Sequence, residues 1–365
     1  MTSPLQVDVF ASGENGYHTF RIPVIEAAAD GSLLAFAEAR KHNRVDPGYD
    51  NNQIALVLKR SSDRGRTWSP MTVIEDPGEC WSAANPTSVL DRQNGRVWLH
   101  YLRGKPGRST ATARPGSDDI ENLVRHSDDH GVTWSASADI TAVCRDLADS
   151  QWRCTVVGPG GGIQDRQGRL VVPCWKVAPE GVFAVFSEDH GQTWQRGHLA
   201  LGPEGGTEGQ LVELADGRIL LDFRQSTGPG RWMAVSSDGG RIWSAPRPGQ
   251  IVTPVCCAIE RCTPRSAGDD GNWRGRHGRE RHGRGVHDIV WTGPKGPGRA
   301  NLVARISDDE AESFTRERPI AEGPAAYSDL TSLADGSVGV LWERDDYRFI
   351  TFALLDQEFL QPRDR

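Results

Sequence analysis

Apolar residues in this chain fall into short runs bounded by turn-forming residues. Ile54-Ala55-Leu56-Val57-Leu58 and Phe183-Ala184-Val185-Phe186 are nearly continuous apolar stretches with the length of a buried strand rather than a helix. Elsewhere two such runs flank an Asp-Gly pair, as in Val212-Glu213-Leu214-Ala215-Asp216-Gly217-Arg218-Ile219-Leu220-Leu221 and Leu333-Ala334-Asp335-Gly336-Ser337-Val338-Gly339-Val340-Leu341. An Asp-Gly between apolar runs is a strong local signal for a hairpin, because both residues tolerate the positive φ that a tight turn needs. The pattern predicts many short antiparallel strands and no long helix.

A longer period is superimposed on these strands. Four copies of S-x-D-x-G-x-(T/I)-W stand at Ser61-Ser62-Asp63-Arg64-Gly65-Arg66-Thr67-Trp68, at 127–134, at 187–194 and at 236–243, and a worn fifth runs Ser307-Asp308-Asp309-Glu310-Ala311-Glu312-Ser313-Phe314. The intact tryptophans lie 66, 60 and 49 residues apart, about 58 on average, which suits one four-stranded propeller blade with its loops. At that period 365 residues make about six blades. The expected fold is therefore all-β, a six-bladed propeller of four-stranded antiparallel blades forming a single domain over 1–365. Within each copy the Asp can bond the backbone of its own turn, the Gly can take positive φ and the indole can anchor the next strand. A residue repeated once per blade at the same turn cannot be in a single active site each time, so these aspartates are expected to be structural.

Composition agrees with this and narrows the function. Gly (41), Pro (22) and Trp (12) are plentiful, as in turn-rich β proteins. The formal net charge of −7 argues against a nucleic-acid partner. No run approaches the roughly 18 apolar residues of a membrane span, and Met1-Thr2-Ser3-Pro4-Leu5-Gln6 lacks a leader pattern, so a cytoplasmic location is expected. Seven cysteines without paired CxxC spacing signal neither a disulfide framework nor zinc.

The repeat is an Asp box. Together with Phe20-Arg21-Ile22-Pro23, the following Leu34-Ala35-Phe36-Ala37-Glu38-Ala39-Arg40 and the stretch Gly158-Pro159-Gly160-Gly161-Gly162-Ile163-Gln164, it makes the chain resemble the bacterial-type exo-α-sialidases along nearly its whole length. The resemblance implies a retaining glycoside hydrolase that removes terminal sialic acid from a sialylated glycan or small sialoside, without metal or other cofactor. Two alternatives stand beside it. One is a hydrolase of a related nonulosonic acid such as KDN, the other a propeller that binds sugar without hydrolysing it.

The chemistry of such a substrate explains the residues implied. A sialoside carries a carboxylate on its anomeric carbon, and arginine binds carboxylate through two parallel hydrogen bonds while staying charged. The family's three arginines match Arg21, Arg224 in Leu221-Asp222-Phe223-Arg224-Gln225, and Arg299 in Gly296-Pro297-Gly298-Arg299-Ala300-Asn301-Leu302. A carboxylate nucleophile would be repelled by the substrate's own charge, whereas a neutral phenol would not, and a phenol needs a base beside it. Tyr327 matches the family's tyrosine, Glu208 its glutamate partner, and Glu343 the late glutamate that pairs with the first arginine, although Trp342 stands where the family usually has tyrosine. The acid that protonates the leaving oxygen is expected from the loop before Ile54. Asp50 and Asp46 both lie there, and spacing favours Asp50. After Cys256 the family pattern breaks into a Gly-, Arg- and His-rich segment, expected to be a flexible loop over 263–287, whose His277, His282 and His287 lack the companions of a metal site.

Overall fold

A computed structural model describes residues 4–361 apart from 204, 229 and 263–288. The expected loop at 263–287, with its three histidines, lies outside the described residues. The described chain is almost entirely β, with two single-turn helices at Thr141–Cys144 and Gln357–Leu360.

Its ladders divide into six antiparallel four-strand groups in chain order. The first is Thr19–Ala27, Leu33–Arg40, Ile54–Ser61 and Thr72–Glu75. The second is Ser82–Leu90, Val97–Gly104, Ile120–Ser127 and Ala138–Asp139. Cys154–Val157, Leu170–Val177, Gly181–Ser187 and Gln195–Arg196 make the third. Gly206–Glu213, Ile219–Gln225, Arg231–Ser236 and Arg247–Pro248 make the fourth. The last two share one long strand, Arg316–Ser332. Its first part, to Pro324, is the outer strand of the fifth blade beside Ala258–Arg261, Ile289–Pro294 and Ala300–Ser307. Its second part, from Ala325, is the inner strand of the sixth, followed by Val338–Arg344, Phe349–Leu355 and finally Gln6–Ala11. The N-terminal strand thus closes the ring on the C-terminal one.

Six hydrophobic clusters fill the spaces between adjacent blades, which is why the strands are apolar on both faces rather than alternating. Phe20 and Ile25 of the first blade, for example, pack with Leu341 and Phe352 of the sixth, and Leu34 and Phe36 pack with Val97 and Leu99 of the second.

The Asp boxes act at these same junctions. In the first, the Asp63 carboxylate accepts from Ser61 Oγ (2.8 Å), Thr67 N (2.9 Å) and Thr67 Oγ1 (2.7 Å), while Gly65 N donates to Ser61 Oγ (2.8 Å). The same bonds recur around Asp129 and Asp189, and Asp238 repeats them apart from the hydroxyl that Ile242 lacks. The box aromatic reaches across to the preceding blade. Trp68 lies edge-on to Phe352, Trp134 to Phe36 and Trp194 to Trp98. Degradation of the fifth copy proves superficial. Asp309 accepts from Ser307 and Ser313, and Ala311 takes the glycine's place at φ 64°. All seven cysteines are free, six of them buried.

Candidate active site

In an antiparallel blade the start of the inner strand, the end of the second strand and the loop leading to the third lie at one edge, whereas the turn between third and fourth strands lies at the other. The Asp boxes occupy the second edge. Every sequence-derived site residue falls on the first. Arg21, Glu208 and Tyr327 sit near the starts of inner-strand segments, Arg224 and Glu343 near the ends of second strands, Arg299 just ahead of a third strand, and Asp46 and Asp50 in a loop between second and third strands.

The inner strands do not run smoothly through this edge. Register slips between Arg21 and Val24, between Thr207 and Gly209 around Glu208, and between Ala325 and Ser328 around Tyr327. Such bulges re-aim side chains that regular alternation would send to a fixed face. At the first of them Ile22 adopts φ 59°, a costly conformation for a β-branched residue that persists only where the surroundings impose it. Glu343 helps to impose it. Its Oε1 accepts from Ile22 N at 3.0 Å and from Arg21 Nε at 2.5 Å, while Oε2 accepts from Arg21 Nη2 at 3.3 Å and Tyr327 N at 3.2 Å. One fully buried carboxylate therefore fixes an arginine, a strained bulge and the backbone of the tyrosine. Burial opposes the charge on Arg21, but Glu343 outweighs it and the guanidinium is held more firmly protonated than usual.

Tyr327 donates a short hydrogen bond from Oη to Glu208 Oε1. Arg224 Nη1 donates to Glu208 Oε2 at 3.0 Å and reaches Tyr327 Oη at 3.4 Å. Burial, and then the adjacent Glu208, push the phenol well above its usual range, so it is neutral with its proton aimed at the carboxylate. Arg224 is raised as well, because Glu208 and Tyr327 together outweigh its desolvation. Arg299 is exposed. Its guanidinium stands 5.6 Å from the centre of the Tyr327 ring, as does that of Arg21.

An open pocket of about 480 Å³ lies between Arg21 and the loop of the first blade. Arg21, Tyr347, Arg44, Tyr49, Asp46 and Asp50 are among the residues lining it. Both candidate acids thus face the same space as Arg21, but they are held differently. Asp46 Oδ1 accepts from Arg40 Nη1 at 3.0 Å. Arg40 is itself buried and bonded through Nε and Nη2 to Glu38 Oε2 at 3.0 and 2.7 Å, and Glu38 Oε1 accepts from Asn85 N at 2.9 Å. Asp50 stands in a left-handed turn, φ 50°, with no side-chain partner among the described residues. The roles of Arg40, Glu38 and Tyr347 are not assigned by the sequence reading. For the first two a clue exists, since charged residues two apart in an otherwise apolar strand point to one face. Tyr347, in an Asp-Asp-Tyr turn, carries no such clue.

Residues 31–340 match the model of the BNR repeat-like domain. The chain belongs to that family. Among curated relatives it is 30% identical to a sialidase of Micromonospora viridifaciens over 357 residues, covering 92% of this chain and 51% of the relative. It is 28% identical to an exo-alpha-sialidase of Aspergillus fumigatus, covering 90% and 80%. The chain spans about half the length of the first of these relatives. Solved structures of the same fold include the Hadza microbial sialidase Hz136, with a TM-score of 0.82 at 24% identity over 96% of this chain and 68% of that one. They also include an intramolecular trans-sialidase from Ruminococcus gnavus in complex with oseltamivir carboxylate, with a TM-score of 0.77 at 18% identity over 98% of both chains. The expected sialidase fold is thus found, and the sequence resemblance extends to named sialidases of bacteria, fungi and mammals.

Proposed function

We propose that the protein is an exo-α-sialidase, a retaining glycoside hydrolase acting on sialosides. The observation that carries the reading is the buried Tyr327–Glu208 hydrogen bond set beside three arginines from three blades. In the proposed reaction Arg21, Arg224 and Arg299 receive the substrate carboxylate. Tyr327 Oη attacks the anomeric carbon as its proton passes to Glu208, so the nucleophile is charged only as the new bond forms. The glycosidic C–O bond breaks with protonation of the leaving oxygen by an aspartic acid of the first-blade loop. Water, deprotonated by that same aspartate, then attacks the anomeric carbon, and the tyrosyl oxygen leaves with the proton returned from Glu208.

For the acid we favour Asp46. Spacing before Ile54 points to Asp50, but Asp46 is the carboxylate fixed toward the pocket by a buried arginine, and a general acid must be held within reach of the proton it transfers. Because Glu38 already compensates Arg40, the ion pair orients Asp46 without placing an unbalanced cation beside it.

The test is release of fluorophore from 4-methylumbelliferyl sialoside by wild type and by the Tyr327→Phe, Asp46→Asn and Asp50→Asn variants. Loss of about a thousandfold or more in kcat is expected for Tyr327→Phe with an unchanged melting temperature. Because the fluorogenic leaving group needs little protonation, the acid is assigned on a sialyl-lactose substrate instead, where Asp46→Asn should lose about a hundredfold or more and Asp50→Asn should retain activity. No hydrolysis by folded wild type would favour a sugar-binding propeller, and the reverse ranking of the two aspartates would restore Asp50.

A further inference from the structure

Tyr347 is half-buried in the turn between the second and third strands of the sixth blade, where Asp345, Asp346 and Tyr347 all take positive φ (52°, 53° and 71°). This turn is tied down from both sides. Asp345 N donates to Pro324 O at 3.1 Å, Ser12 Oγ donates to Tyr347 O at 2.7 Å, and Ser12 N donates to Arg348 O at 2.9 Å. So anchored, the Tyr347 ring lies beneath the Arg21 guanidinium, 4.0 Å from ring centre to Cζ, and its Oη accepts from Arg299 Nη1 at 2.7 Å. One side chain bridges two arginines carried by different blades.

The charges around it are unequally balanced. Arg21 has Glu343 and Arg224 has Glu208, whereas Arg299 has no carboxylate partner among the described residues. A phenol that accepts from a guanidinium still carries its own proton. No acceptor for that proton is found among the described residues, and the ring lines the pocket into which a carboxylate would come. A guanidinium bonded through one Nη hydrogen keeps its other donors free, so Tyr347 and an incoming anion do not compete for the whole of Arg299.

Resting on the sialidase reading, and deepening it, we propose that Tyr347 is a fourth member of the anion clamp, holding Arg299 and Arg21 in place and donating its phenolic hydrogen bond to the substrate carboxylate. Its contribution lies in binding rather than in the bond-breaking steps, because the carboxylate keeps its charge throughout the reaction.

The experiment compares Tyr347→Phe, Tyr347→Leu, Arg299→Ala and Arg21→Lys with wild type. It measures KM and kcat on the fluorogenic sialoside, calorimetric Kd for free N-acetylneuraminic acid, and melting temperature. Tyr347→Phe keeps the ring over Arg21 and loses only the hydroxyl, so KM and Kd should both rise about fivefold while kcat stays within about twofold. Tyr347→Leu, which loses the ring as well, should weaken binding further. Unchanged Kd in Tyr347→Phe would overturn the proposal, as would tighter binding, which would mean that the phenol blocks the clamp. A fall in kcat matched by a fall in melting temperature would also overturn it, the hydroxyl then being structural. If Arg299→Ala and Arg21→Lys bind the acid as wild type does, the sialidase reading fails. If they weaken binding and Tyr347→Phe does not, only the role of Tyr347 fails.

Discussion

The two edges of this ring use carboxylates in opposite ways. At the edge bearing the third-to-fourth-strand turns, Asp63, Asp129, Asp189, Asp238 and Asp309 each accept bonds from their own turn, and although desolvation opposes it, hydrogen bonding to the charged form holds each below the usual carboxylate range. At the other edge the carboxylates hold groups outside their own turns. Glu343 clips a strained bulge, Glu208 takes the bond of a phenol, Glu38 restrains an arginine, and Asp46 hangs from that arginine into the pocket. Repetition marks the groups that satisfy each blade's own turn, whereas the groups at the pocket edge take partners beyond their turn, from another blade for Glu343 and Glu208 and from the same blade for Asp46. Only the second kind can make an asymmetric site out of a nearly symmetric ring.

Glu343 is where this contrast is most exposed to failure, because it belongs to the site and is also fully buried structure. Glu343→Gln keeps the volume but leaves Arg21 without its counter-charge, and breaking a buried ion pair in this way costs about 3–5 kcal/mol. A large drop in melting temperature together with a large rise in KM is expected. A stable variant altered only in KM would mean that site and scaffold are more separable than the bonding suggests. Gly65→Ala tests the opposite edge. Its φ is 81°, and an added Cβ would stand 2.0 Å from Phe352 Cε1 of the neighbouring blade. A loss of about 3 kcal/mol is expected from strain and overpacking combined, with KM unchanged. A shift in KM would show the box edge communicating with the pocket.

At neutral pH the smallest effect is expected at neither edge. His100 is buried against Trp194, its ring nitrogens without hydrogen-bond partners among the described residues, and burial lowers it from the usual 6.5 to about 3. The unfolded chain takes up this proton below about pH 6.5 and the folded chain does not, so the stability His100 contributes is full above that pH and is lost as pH falls toward 3. In His100→Phe the acid side of a melting-temperature profile should be flatter than in wild type, with little difference at pH 8. Parallel profiles would show that His100 has no part in acid sensitivity.

Much of this is legible in the sequence alone. The box recurs because each blade must solve the same junction problem, and recurrence is visible in a single sequence even where wear hides it, as at Ala311. The arginines, Tyr327, Glu208 and Glu343 came from resemblance to a family, and the fold brings them to one edge. Illegible were the bulges, since strict alternation carries no mark of the residue at which register slips, and the positive φ of Ile22, which no β-branched residue advertises. Tyr347 escaped for a related reason. Its meaning lies in two arginines 326 and 48 residues away along the chain, and nothing in Asp345-Asp346-Tyr347 points to either.

The ring is held shut by a ladder in which Gln6 pairs with Ala353 and Ala11 with Phe349. During synthesis Gln6–Ala11 emerges long before Phe349–Leu355, the strand against which it pairs. Five blades can complete their hydrogen bonding from contiguous stretches of chain, whereas the sixth joins two segments whose paired residues stand 338 to 347 apart. Contacts of such long sequence separation are the slowest kind to form, so Tyr347, whose turn is fastened to Ser12 just beyond that strand, acquires its final place only when the circle closes.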